Sequence, residues 1–233
     1  MTLTHVDIVF QIIVFLFAIS VHESAHALTA YRCGDPTAFM LGRVTLNPIK
    51  HIDVIGTIVM PAVAMYAHWP LIGWAKPTPV NTRKLKHFVR DDIFVSLAGI
   101  VANLILAGLA VIGLVVLIIA VPGGKAAVGE AINFQFTGEL ANWSQSSIVP
   151  LSLLMYDLMT INVLLACFNI IPVPPLDGSH VLRHMLPDSM RAVYDNVGRF
   201  GLILLMFWGG RVLGPLMNPV LGFFNAILLK FFQ

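Results

Sequence analysis

Apolar residues along this chain come in long blocks, where a water-soluble domain of the same length would break them up with polar helix faces and turns. The first block runs from about Ile8 to Ala30 and is interrupted only by His22-Glu23-Ser24-Ala25-His26. At about 1.5 Å per residue it can cross an apolar layer about 30 Å thick. A polar stretch from Tyr31 to Asp53 follows, and its Gly34-Asp35-Pro36 and Asn47-Pro48 turn signals stop a helix. Val54 to His68 is apolar but short for a span and is broken by Pro61. A basic, proline-rich stretch, Trp69 to Arg90, leads into the longest block, Ile93 to Val121. Pro122 to Val149 is polar and weakly acidic, and Pro150 to Ile171 is a third clear span with Asn162 and Asn169 inside it. Pro172-Val173-Pro174-Pro175 then predicts unwound chain, because each proline lacks an N–H and restricts the residue before it. Phe200 to Leu213 and Val220 to Phe232 close the sequence as one kinked span or two partial ones, split by Gly214-Pro215 and Asn218-Pro219.

Composition turns that pattern into a membrane assignment. Hydrophobic residues make up 58% of the 233 positions and charged residues 11%, against about 25% charged in an average soluble domain. The net charge of +2 gives no reason to expect nucleic acid as a partner. Cys33 and Cys167 are far apart and form no CxxC pair, which argues against a disulfide framework or a thiolate metal site. With no basic leader or small-residue cleavage site, the first block reads as a structural helix and not as a signal peptide.

The basic residues report topology. Arg32, Arg43 and Lys50 precede the short second block, and Lys76, Arg83, Lys84, Lys86 and Arg90 follow it, whereas Pro122 to Val149 holds only Lys125. Both flanks of that block therefore belong on the cytoplasmic side. This favours a re-entrant hairpin over a full crossing, with the N-terminus outside.

His22 and His26 stand four residues apart on a predicted helix, so their imidazoles share one face, with Glu23 beside them. This is H-E-x-x-H, a pair of zinc-binding histidines with a glutamate general base. Ionisable groups inside an apolar span cost about 2.5–3.5 kcal/mol each on insertion scales, and a divalent metal would offset that cost. A catalytic zinc takes a third protein ligand and leaves its fourth position to water.

The run from Asn169 to Gly178, N-I-I-P-V-P-P-L-D-G, resembles the N-x-x-P-x-P-P-L-D-G signature of the site-2 protease family of intramembrane metalloproteases. Gly42-Arg43 with Leu46-Asn47-Pro48, His51-Ile52-Asp53 with Gly56-Thr57, and Gly73-Trp74-Ala75-Lys76-Pro77 add to the likeness. They point to the compact bacterial-type branch without PDZ or CBS modules. The resemblance implies Asp177 as the third ligand of one Zn2+ per chain. Ala98-Gly99-Ile100-Val101-Ala102-Asn103 corresponds to a family A-G-P-x-x-N motif, with Ile100 in place of the proline that would shape a helix start. Asn103 is expected either to donate its amide to the scissile carbonyl or its oxyanion, or to hydrogen-bond between helices. Asn162 reads as a helix-packing residue, and Asn169 either packs or holds unwound backbone near the site. His51, His68, His87, His180 and His184 read as interfacial side chains.

The expected fold is an all-α polytopic membrane protein. A three-helix catalytic core carries H-E-x-x-H and the L-D-G segment, with a re-entrant or short β segment and additional C-terminal helices. One domain covers 1–233, its core about 8–182 and its C-terminal helices about 196–233. The implied activity is hydrolysis of peptide bonds in transmembrane protein substrates, in or near the lipid bilayer and in regulated intramembrane proteolysis. The site would lie towards the cytoplasmic side of a bacterial cell membrane. Such a substrate must unwind before attack, and an edge near Gly42 to Leu46 could pair with its backbone. A zinc-binding membrane transporter and a catalytically silent scaffold for membrane partners are the competing readings.

Overall fold

The computed structural model describes residues 3–59, 63, 66, 75–138, 148–198 and 200–232. Their regular structure is helical: α1 (Leu3–Arg32), the short α2 (Thr37–Met40), α3 (Phe88–Ala120), α4 (Gly124–Thr137), α5 (Ile148–Asn169), α6 (Asp177–Met185), α7 (Asp188–Gly198) and α8 (Gly201–Leu229). Four of these are long and apolar enough to cross a membrane, over Val6–Arg32, Phe88–Ala120, Ile148–Asn169 and Arg211–Leu229. The chain is an all-α, integral multi-pass membrane protein.

The bundle is built for lipid. Ile12, Ile13 and Phe17 of α1 and Ile105, Leu109, Ile112, Val116 and Ile119 of α3 lie exposed, while Ser20, His22, His26, Asn103, Asp157 and Asn162 are buried. Water would reverse that distribution, whereas hydrocarbon rewards it, because buried polar groups must find partners inside the bundle. The helices α1, α3 and α5 pack pairwise into the three-helix core that the sequence predicts. Small residues let α3 come close at Ala107 and Ala110, and Val111, Leu114, Met159 and Val163 fill the interior. Cys167 is buried in the same cluster, an apolar residue with no disulfide partner.

Several elements differ from the sequence expectation or resolve it. The polar region after α3 contains a helix, α4, whose Ala127, Val128 and Ala131 are buried; its packing surface is too small to show in a hydropathy profile. The last two apolar blocks form one helix, α8, running through Pro215 and Pro219. No strand occurs among the described residues, and Gly42 to Leu46 is turn and bend, so the short β alternative finds no support there. Residues Val54–Val59 form one π-helical stretch. The remaining course of Val54 to His68, and with it the choice between span and re-entrant hairpin, lies outside the described residues, as do Trp69, Gly73 and Trp74.

A second polar joint ties α1 to α5 far from the H-E-x-x-H end. Gln11 Nε2 donates to Asp7 Oδ2 at 2.8 Å, and Gln135 Nε2 of α4 donates to Asp157 Oδ1 at 2.9 Å. The other two oxygens, Asp7 Oδ1 and Asp157 Oδ2, are buried without a donor, and the two carboxyls lie within hydrogen-bonding reach of each other. Asp157→Asn removes a buried carboxylate and keeps an oxygen that accepts from Gln135, and is expected to retain or raise thermal stability at neutral pH. Asp157→Ala strands Asp7 and Gln135 and is expected to cost about 1–3 kcal/mol, read by thermal unfolding in detergent.

Candidate metal centre

His22 and His26 project from the same face of α1, four residues apart, and both are buried. Asp177 reaches them from the first turn of α6, immediately after the proline-rich break. His22 Nε2 lies 3.1 Å and His26 Nε2 3.3 Å from Asp177 Oδ2, and the two Nε2 atoms are 3.0 Å apart. It is the sole cluster of three or more metal-capable His, Cys, Asp or Glu side chains among the described residues, with one donor atom from each within 4.8 Å of the others.

The far side of each imidazole fixes its tautomer. Asn162 Nδ2 donates to the Leu158 carbonyl at 2.7 Å, which turns Asn162 Oδ1 towards Asn103. Asn103 Nδ2 donates to that oxygen at 2.7 Å, so Asn103 Oδ1 faces His22 Nδ1 at 2.6 Å and accepts its hydrogen. His26 Nδ1 lies 2.6 Å from the Val95 carbonyl, another group that can only accept. In the neutral rings both hydrogens are thus on Nδ1 and both Nε2 lone pairs point inward. Asp177 Oδ2 has no conventional hydrogen-bond donor. Two nitrogen lone pairs and a carboxylate oxygen therefore face one another with no hydrogen to share, which is the donor set of a zinc site and needs a cation to be stable. The residues fit the metal.

Asp177 is placed by devices that short motifs do not reveal. Asn169 Nδ2 bonds back to Leu165 O at the end of α5, and the chain then turns through a cis Pro174-Pro175 bond. Gly178 lets α6 begin against that end: an added Cβ would sit 2.1 Å from Ile170 O. Asp92 of α3 is buried and clamps α6 from the other side, its Oδ2 2.7 Å from His184 Nε2 and 3.3 Å from His180 Nδ1. The Asp92 carboxylate raises the His180 imidazole against the opposing effect of burial. The structure thus gives His180 and His184 a carboxylate partner where the sequence offered only interfacial side chains; the signal was their own four-residue spacing. His51 is also buried, with Nε2 2.9 Å from the Thr45 carbonyl.

Glu23 is partly buried beside the histidines, and its Oε2 accepts both the backbone N–H and the hydroxyl of Thr78, at 2.8 and 2.7 Å. Asn103 is fully buried, with both polar atoms engaged by His22 and Asn162. In this arrangement its oxygen orients a histidine and one of its two amide hydrogens bonds between helices. Ile100 is buried inside an unbroken α3 that starts at Phe88, so no helix start exists there for a proline to shape.

A family model described as peptidase family M50 matches residues 10–208. YwhC of Bacillus subtilis, which carries the name of a zinc metalloprotease, is 33% identical over 227 residues, covering 94% of this chain and 92% of its own. Rip2 of Mycolicibacterium smegmatis, named in the same way, is 28% identical over 193 residues, or 76% of this chain and 58% of its own. Rip2 of Mycobacterium tuberculosis is 26% identical over 231 residues, 94% of this chain and 71% of its own. No solved structure matches the chain significantly.

Gly99 of α3 faces the two imidazoles, and a Cβ there would lie 2.5 Å from His22 Cε1 and from His26 Nε2. Gly99→Ala is therefore expected to displace the ligands and abolish stoichiometric zinc in the purified protein. Asn103→Ala removes the acceptor for His22 Nδ1–H together with the donor to Asn162 Oδ1, and is expected to weaken zinc about 10–100-fold, measured by competition with a chelating dye.

Proposed function

Since the chain belongs to peptidase family M50 and is a zinc metalloprotease, we propose that it cuts membrane-protein substrates within or near the bilayer, in regulated intramembrane proteolysis. The metal ligands in this reading are His22, His26 and Asp177, and Glu23 is the general base. The single membrane-embedded domain spans 1–233. What carries the proposal is the convergence of the three donor atoms at buried positions on helices whose outer faces suit lipid. A scissile bond reaching that point has to enter from the membrane or its interface.

Zinc, when bound, supplies Lewis acidity that polarises a carbonyl and lowers the pKa of water to about 7. The chain's own groups do the rest. Asn103 and the Val95 carbonyl hold the imidazoles in register, and Asp92 holds α6 so that Asp177 stays at the site. Glu23 takes the proton from the attacking water and delivers it to the leaving amine, which would otherwise depart as an unstable anion.

Glu23→Gln keeps the volume of the base and all three ligands. It is expected to retain one zinc per chain and lose cleavage of a single-span reporter by at least about a hundredfold. Asp177→Ala is expected to lose the zinc itself. Full proteolysis in Glu23→Gln would end the assignment of the base, and one tightly bound zinc in Asp177→Ala would move the third ligand elsewhere.

The location follows the positive charges. The loops joining α1 to α3 and α5 to α8 contain the basic runs, including Arg83, Lys84, Lys86, Arg183 and Arg191, so we place them and the metal centre on the cytoplasmic side of the cell membrane. A cysteine at Thr82, in a chain lacking Cys33 and Cys167, is expected to react with membrane-impermeant thiol reagents in inverted vesicles only. Labelling in intact cells would reverse the orientation.

A further inference from the structure

Glu23 is held by a stretch of chain 55 residues away. The strap Ala75–Val80 has no regular secondary structure, and both ends are pinned to buried groups. Lys76 N–H donates to the His51 carbonyl at 2.8 Å, and Asn81 N–H donates to Asp35 Oδ2 at 2.6 Å. Both His51 and Asp35 are almost wholly buried. Between the pins, Pro77 and Pro79 flank Thr78. Pro79 restricts Thr78 to extended backbone and Pro77 stiffens the approach, so the Thr78 donors reach Glu23 at little entropic cost. Because neither proline has an N–H, Thr78 offers the lone backbone donor of the three, and it is committed to Glu23 Oε2. The strap thus has no free backbone N–H over Pro77–Pro79 to offer a substrate strand. It is built to hold one carboxylate oxygen.

The Thr78 hydroxyl has a single hydrogen, lying 2.7 Å from Glu23 Oε2 and 3.1 Å from the Glu23 carbonyl, and the shorter contact to the charged oxygen takes it. Oε2 then has two donors, while no hydrogen bond from the described residues reaches Oε1. We propose that Thr78 is the positioning residue of the base: it locks Oε2 and so presents Oε1, in one orientation, to the proton of the attacking water. A free glutamate rotates about three bonds, and a base acts only within hydrogen-bond reach of its proton. The strap removes that freedom. This inference rests on the assignment of Glu23 as base and adds the residue that aims it.

Serine and alanine at position 78 differ only by the hydroxyl, and valine keeps the shape of threonine without it. With zinc-loaded, full-length protein in detergent and a fluorescent single-span reporter, Thr78→Ala and Thr78→Val are expected to lower kcat about tenfold or more with KM and zinc stoichiometry unchanged. Thr78→Ser is expected to stay within about twofold of the parent. A second readout is independent of activity: the infrared carboxylate band isolated by subtracting the Glu23→Gln spectrum should shift in Thr78→Ala and not in Thr78→Ser. Equal kcat in the Ser and Ala variants would overturn the proposal. So would higher kcat in Ala, which would make the strap an inhibitory latch. If Thr78→Val loses its fold, the Ser and Ala pair decides. Undiminished cleavage in Glu23→Gln would instead remove the base assignment, and the infrared comparison would still report whether Thr78 holds Glu23.

Discussion

Three electron-pair donors face one another inside a bundle whose outside is hydrocarbon, and most of the surrounding structure serves to keep them there. His22 Nε2, His26 Nε2 and Asp177 Oδ2 are mutually repulsive without a cation and strongly attractive around one. In water such groups would turn outwards or take protons. Here the Nδ1 hydrogens are committed to carbonyl oxygens, one of them through a chain of two asparagines that ends at the Leu158 backbone. The orientation of a ring on α1 is therefore set by a peptide group on α5. Metal binding and helix packing become one event in this arrangement.

The same requirement explains where α3 is smooth. A metal site on a helix face needs its neighbour to approach closely enough to offer acceptors and yet leave room for two imidazoles. Gly99 gives the room, and Val95 and Asn103, four residues to either side, give the acceptors. Ile100 and Ala107 continue the packing surface beyond the polar patch. Glycine here acts through its missing Cβ and not through an unusual backbone angle.

The loops do as much as the spans. The chain between α5 and α6 must leave its helix, turn, and restart within eight residues so that Asp177 comes back to the depth of α1; prolines end the first helix and Gly178 admits the second. Tyr194 of α7 donates its hydroxyl hydrogen to the Pro172 carbonyl and Asp92 grips His184, so the turn is held from two sides. The stretch before α3 brings Thr78 to Glu23 in a comparable way. Asp177 and Glu23 are both aimed by chain that has left its helix, because straight helices alone would keep their side chains on separate faces.

Much of this was legible in the sequence. Apolar length gave three of the four spanning helices and left the interrupted C-terminal blocks as one kinked span or two partial ones, because the bilayer imposes a minimum length that needs no knowledge of neighbours. His22, Glu23 and His26 were legible because a helix turns four residues into one face, and Asp177 because of a ten-residue resemblance. What the sequence left open was settled by contacts between residues far apart. The partners of Asn103, His22 on one helix and Asn162 on another, could not be read from its own segment. Thr78 looked like one residue of a proline-rich loop, and Asp92 like one carboxylate near a helix start, until Glu23 and the pair His180 and His184 appeared beside them. Periodicity and span length act between near neighbours in sequence and can be read from one segment at a time. Hydrogen-bond partners 55 to 92 residues apart depend on how whole helices pack, and only the tertiary structure brings those groups within 3 Å of each other.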